Sequence, residues 1–249
     1  WTMLFGFPLL ASIQAICAQI GATTGRGIAH NLRRHYPRPL LQGMVLLLLI
    51  ANVINLGADL GAMGAALGLL VPGPVLGFTI AFGLVSILVE VFVPYERYAR
   101  ILKWTTLSLF AYVAVVFVAG VDWAAALRGV AIPTFAFDRE HTMALVAVFG
   151  TTISPYLFFW QAGQEVEEQH RRHTKALCIA PREAGRELRR IRTDTLVGMG
   201  FSHLTALFII IATAATLNAH GVTDITSAAQ AADALRPIAG DLAFAFFAI

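Results

Sequence analysis

Charge is what this sequence has least of. Asp, Glu, Lys and Arg make up 13% of its 249 residues, about half the share usual in a soluble globular domain. A soluble fold of this length is excluded. Cysteine is almost missing, with Cys17 and Cys178 the two present, so neither a disulfide framework nor a CxxC metal pair can be drawn. The glycines form no GxGxxG or Walker-type phosphate loop, and no HExxH, Ser-His-Asp order or Cys/His cluster occurs. Enzyme chemistry, a nucleic-acid partner and a permanently bound cofactor therefore have no basis in the sequence.

What the sequence has instead is apolar length. Hydrophobic residues reach 57% and the mean hydropathy is +0.71. Seven apolar segments stand out, at about 1–20, 40–70, 75–93, 104–120, 143–161, 195–217 and from 238 onward. Runs of this length mark transmembrane helices. The expectation is an all-α polytopic membrane protein, a single transmembrane domain over 1–249 with six complete spans and one truncated. The opening Trp1-Thr2-Met3 and the apolar close 242–249 read as an internal fragment of a longer protein.

Lysine and arginine set the orientation. All 18 except Arg128, Arg139 and Arg236 fall after the first, third and fifth spans, and the positive-inside rule places those connections in the cytoplasm. The richest is the expected cytoplasmic loop 163–194. Its Glu183, Arg186, Glu187 and Arg190 have the spacing for ion pairs along a short solvated helix. That stretch reads as a solvated linker with topogenic charge.

The fifth span carries an interruption, Gly150-Thr151-Thr152-Ile153-Ser154-Pro155. Proline has no amide hydrogen and its ring clashes with the carbonyl four residues back, so a helix cannot run through intact. Backbone freed at membrane depth is tolerated only in protein or beside a polar cavity. Two readings stay open: a kinked helix repaired by its neighbours, or an unwound centre of the kind transporters use to hold an ion.

Other polar residues interrupt apolar spans. Asn52, Asn55 and Asp59 are spaced by three and four and so share one helical face. A polar pathway is the favoured reading; asparagines bonded to neighbours, with Asp59 at a wet end, is the other. Asp194 is expected to open the sixth span at its first turn, where a carboxylate suits the helix dipole. His203 is either a proton relay or a hydrogen-bonded contact between helices, and Gln14 either faces a pathway or bonds across helices.

These residues resemble the Nramp (natural-resistance-associated macrophage protein) family of divalent metal transporters over nearly the whole chain. Gly150 to Tyr156 is similar to that family's broken sixth helix, typically Gly-Ala-x-x-Met-Pro-His. Asp59-Leu60-Gly61-Ala62 resembles its third-helix Asp-x-x-Glu. Arg192-Thr193-Asp194 looks like the start of its seventh helix, and Asp233 to Pro237 like the segment before its eighth.

The resemblance implies a five-plus-five inverted repeat, with metal held between broken helices one and six. The helix-one ligands would precede Trp1. Thr151, through its carbonyl, and Ser154 would be the ligands on this chain, with Gly150 and Pro155 making the break. Ser154 stands where the family has methionine, and hydroxyl oxygen suits hard ions better than soft ones. Tyr156 and Gln161 occupy the positions of two histidines linked to proton handling, while Asn52 and Ala62 occupy those of two glutamates.

The implied function is a secondary transporter, not an enzyme, carrying divalent cations into the cell by alternating access. Mg²⁺ or Mn²⁺ is favoured, with Fe²⁺ a further candidate. The metal is substrate, and the expected partners are the lipid bilayer and protons. Asp59, Asn52, Asn55, Tyr156, Gln161 and His203 would form the polar or proton pathway. The expected location is a bacterial inner membrane. The alternative is a transporter of an organic solute, such as an amino acid, on the same inverted-repeat fold.

Overall fold

The computed structural model describes residues 1–93, 109–152 and 155–218, with 221, 224, 225, 230 and 232. Among these residues the regular structure is helical throughout, with no strand. In chain order the helices are α1 (Thr2–Thr24), α2 (Ile28–His35), α3 (Arg38–Leu70), α4 (Val75–Phe92), α5 (Phe110–Val118), α6 (Trp123–Ala131), α7 (Arg139–Thr152), α8 (Pro155–Arg171) and α9 (Ala184–Thr216). A short 3-10 turn, Pro181–Glu183, leads into α9. Four helical stretches are long and apolar enough to cross a membrane: Thr2–Thr24, Arg38–Leu70, Val75–Phe92 and Pro181–Thr216. This is the all-α polytopic membrane architecture that the apolar runs imply. The expected span 104–120 is described only from residue 109, and the segment from 238 lies outside the described residues.

The chain divides into two compact units, Trp1–Asn52 with Arg128–Leu204, and Val53–Leu127 with Thr205–Ile249. In the first, α1 lies along α8. Gly21 permits the approach: a Cβ there would run into the carbonyl of Ala162. Gly25 then ends α1 in the left-handed region at φ 65°, its N–H bonded to the Gly21 carbonyl, the usual use of glycine past a helix end. The carbonyls that α1 leaves open are closed by the chain returning from α8. Leu177 and Cys178 donate their N–H groups to Ala22 and Thr23, each at 3.1 Å. Gln169 Nε2 adds a bond to the Ala22 carbonyl at 2.6 Å. Ala18, Ala22, Leu177 and Ile191 form the buried cluster beneath.

In the second unit, α3 and α4 form a hairpin through residues 71–74, where Gly64 abuts Thr79. Many of their apolar side chains there are outward; Ile54 is 66% and Leu76 71% exposed. Apolar surface of this kind is what a helix shows to lipid, where no water penalises it. Val115, Val116 and Ala212 are the buried centre of this unit. At 33 residues α3 is about 50 Å long at 1.5 Å per residue, well over the roughly 30 Å hydrocarbon core. Tilt or protrusion is the way such a length is accommodated.

The stretch 163–194, expected as a loop, is helical at both ends. Helix α8 runs on to Arg171 and α9 begins at Ala184, leaving only a short connection. Asp194 therefore sits ten residues inside α9 rather than at its first turn, and the helix-dipole role assigned to it does not apply. The charges themselves extend the helices: Arg172 Nε bonds Glu168 at 2.5 Å and Arg190 Nε bonds Glu187 at 2.6 Å, both at helical spacing.

Candidate functional site

In the fifth apolar segment the described helices α7 and α8 lie on either side of residues 153–154, which are outside the described residues. Helix α7 is capped at its start by Asp138, whose Oδ1 accepts from the His141 N–H at 2.7 Å. It ends at Thr152, and α8 begins at Pro155. With 14 and 17 residues, the two are about 21 and 25 Å long. Each alone falls short of the roughly 30 Å hydrocarbon core.

The backbone chemistry at this junction follows from Pro155. The residue four positions back is Thr151, so its carbonyl is the one denied an N–H donor. It also lies in the last turn of α7, where helix carbonyls carry the negative end of the dipole. A cation is the ligand that such an end attracts. Thr152 turns its hydroxyl back to the Val148 carbonyl at 2.5 Å, a local bond of the i−4 kind. At Gly150 a Cβ would meet open space, so close packing is not what this glycine supplies. Ser154 lies outside the described residues. Tyr156 takes its place in the first turn of α8.

The pathway candidates are distributed over three helices. Asn52, Asn55 and Asp59 lie on α3, the asparagines half-buried and Asp59 exposed. Among the described residues none of the three has a hydrogen-bond or ion-pair partner. Gln161 is on α8 and does meet a partner from α1: Gln14 Nε2 donates to its Oε1 at 3.1 Å. Gln14 thus bonds across helices, one of its two sequence readings. His203 is buried on α9, its Nδ1 at 2.9 Å from the Met199 carbonyl and its ring edge-on to Phe7. Among the described residues its Nε2 is buried without a partner, as is the Thr195 hydroxyl on the same helix. Residues 195, 199 and 203 repeat at four, so the two orphaned groups lie along one stripe of α9. Buried polar atoms of this kind are where a bound water or a moving proton finds a partner.

Sequence reasoning did not find the residue that ties Gln161 to α9. Glu165, one turn on, is 5% exposed. Its Oε1 lies 3.5 Å from Gln161 Nε2, and its Oε2 accepts from Arg190 Nη2 at 2.5 Å. Arg190 also holds Glu187. A polar chain therefore runs from Gln14 on α1 through Gln161 and Glu165 on α8 to Arg190 on α9. Burial pushes the Glu165 carboxyl above the usual glutamate range, against the pull of Arg190. The i,i+4 relation of Gln161 to Glu165 was visible in the sequence; the partner 25 residues away was not.

Known proteins add a family. The profile for "Natural resistance-associated macrophage protein-like" matches residues 1–249. Among individual relatives, the "Divalent metal cation transporter MntH" of Brucella suis biovar 1 is 28% identical over 264 residues, covering 98% of this chain and 56% of that protein. The MntH of Burkholderia ambifaria is 26% identical over 259 residues, covering 100% and 55%. That of Agrobacterium fabrum is 24% identical over 257 residues, covering 95% and 53%. The chain spans about half the length of these relatives. A match that runs from the first residue to the last, over an all-helical chain of apolar spans, places this chain in the Nramp-like family.

Proposed function

We propose that this chain is part of a secondary transporter that brings divalent metal cations into the cell by alternating access, in a bacterial inner membrane. The observation that carries the reading is the junction of α7 and α8. There, Pro155 denies a donor to the carbonyl of Thr151 at a helix C-terminal end, inside an apolar segment. Thr151, through that carbonyl, and Ser154, through its hydroxyl, are the cation ligands on this chain. Gly150 and Pro155 shape the break. The family match and the relatives' name supply the class of substrate.

Oxygen ligands favour hard cations, so Mg²⁺ and Mn²⁺ come ahead of Fe²⁺. Asn52, Asn55 and Asp59 on α3, Tyr156 and Gln161 on α8 and His203 on α9 are the polar groups along which water or protons would move. Tyr156 and Gln161 stand where the resemblance has histidines, and neither is an imidazole that could switch charge there, so proton coupling through α8 is weak in this reading.

The test is uptake by the full-length protein in proteoliposomes. Mg²⁺ or Mn²⁺ should enter, and Ser154→Ala should slow entry by about tenfold, as expected for the loss of one hydrogen-bond-strength ligand contact. Ser154→Met should shift preference toward softer ions such as Cd²⁺. Absence of Mg²⁺ and Mn²⁺ flux, or Ser154→Ala behaving as wild type, would remove the assignment.

A further inference from the structure

The strongest surface feature outside the candidate site is α2 with the residues on either side of it. No aspartate or glutamate occurs anywhere before Asp59, so Arg26, Arg33, Arg34 and Arg38 have no acidic neighbour in sequence. The structure brings none to three of them: among the described residues Arg33, Arg34 and Arg38 take part in no ion pair. Arg26 turns instead to the His30 ring.

Helix α2 is held in one orientation. Asn31 Nδ2 is shared among Thr24 Oγ1, the Arg26 carbonyl and the Gly27 carbonyl, at 3.0–3.1 Å. Ile28, Asn31 and Leu32 are half-buried, while His30, Arg33, Arg34, His35 and Tyr36 are exposed. The docked face is thus apolar and the free face basic. Arg38 is the first residue of the apolar helix α3, so this free face adjoins a helix long and apolar enough to enter the bilayer. Lys175, from the connection after α8, is likewise exposed and has no ion pair among the described residues.

From this placement we infer that the free face of α2, with Arg33, Arg34 and Arg38, binds the headgroups of anionic phospholipids in the leaflet that α3 enters. Charge complementarity selects the partner. A rigidly held basic face beside the bilayer meets a surface of anionic phosphates, and each lysine or arginine near such a surface adds to the attraction. Topogenic charge alone acts during insertion and requires no lipid to remain on the folded protein. A retained headgroup is what separates the two roles.

The test uses the full-length protein in nanodiscs of phosphatidylcholine with phosphatidylglycerol, counting the lipids that survive gentle detergent extraction by native mass spectrometry. The wild type should retain phosphatidylglycerol over phosphatidylcholine and lose that preference when salt is raised to screen the contact. The triple change Arg33→Gln, Arg34→Gln, Arg38→Gln should lower retention by about a hundredfold, at roughly fivefold per charge. Arg172→Gln should leave retention unchanged, because Glu168 already neutralises that guanidinium. Equal retention of both lipids by the wild type overturns the proposal. So does salt-insensitive retention, or displacement of the lipid by millimolar inorganic phosphate. If the triple variant inserts poorly, Arg34→Gln alone and the wild-type salt dependence still decide the question.

Discussion

Two of the basic connections in this molecule, both among the described residues, are built on opposite principles. The one after α8 mixes its arginines with carboxylates. Glu168 takes Arg172, Glu187 takes Arg190, and Glu165 reaches across to Arg190. Its backbone folds back to close the end of α1 through Leu177 and Cys178. The one around α2 has arginines and no carboxylates at all, and its guanidiniums point outward. Both satisfy the same topological rule, but one spends its charge on internal cohesion and the other leaves it for an external partner. Positive charge in a connection therefore says where a chain sits; only its pairing says what else it does.

Three outcomes would break or sharpen this contrast. The largest effect should come from Glu165→Ala, which leaves Arg190 one carboxylate short. The expected loss is about 2 kcal/mol, less than the roughly 3–5 kcal/mol of a fully buried pair, because Glu187 still holds the guanidinium. Thermal unfolding in detergent measures it, and an unchanged midpoint would mean that the junction is not held by its charges.

A smaller effect should appear in the pH profile. Burial raises the Glu165 carboxyl in the folded state, so the native protein binds a proton at a pH where the unfolded chain has released its own. The resulting stabilisation is full below the usual glutamate value and declines as pH rises through the raised one. Melting of the wild type across that window should show the decline, and Glu165→Gln should flatten it. The smallest effect belongs to the other connection. Arg33→Gln with Arg34→Gln should change stability by no more than about 0.5 kcal/mol, as for exposed positions without partners. A larger loss would show that α2 uses its charge internally after all.

The sequence revealed the membrane character and much of the helical layout because both depend on local composition. An apolar run such as 40–70 has few alternatives to a spanning helix, and the structure has α3 over Arg38–Leu70. The effect of Pro155 on the carbonyl of Thr151 is likewise local, since a missing N–H acts only on the chain's own preceding turn. Asp194 was misjudged because the short charged helix expected around Glu187 and Arg190 was read as separate from the sixth span, whereas one helix runs from Ala184 to Thr216. The Glu165–Arg190 pair escaped notice for a different reason: its partners are 25 residues apart and meet only when α8 and α9 come together.

What the sequence determined by itself, then, is the class of molecule and the positions of the apolar helices. Each follows from hydropathy and backbone chemistry over a few turns. What the tertiary structure decided is which polar groups find partners. Gln14 meets Gln161, Glu165 is buried against Arg190, and among the described residues the His203 Nε2 is left alone. Among the described residues, the arginines around α2 have no carboxylate brought to them. Such partnerships depend on surfaces distant in sequence being folded together, and in a low-dielectric interior a few ångströms separate a satisfied group from an orphan.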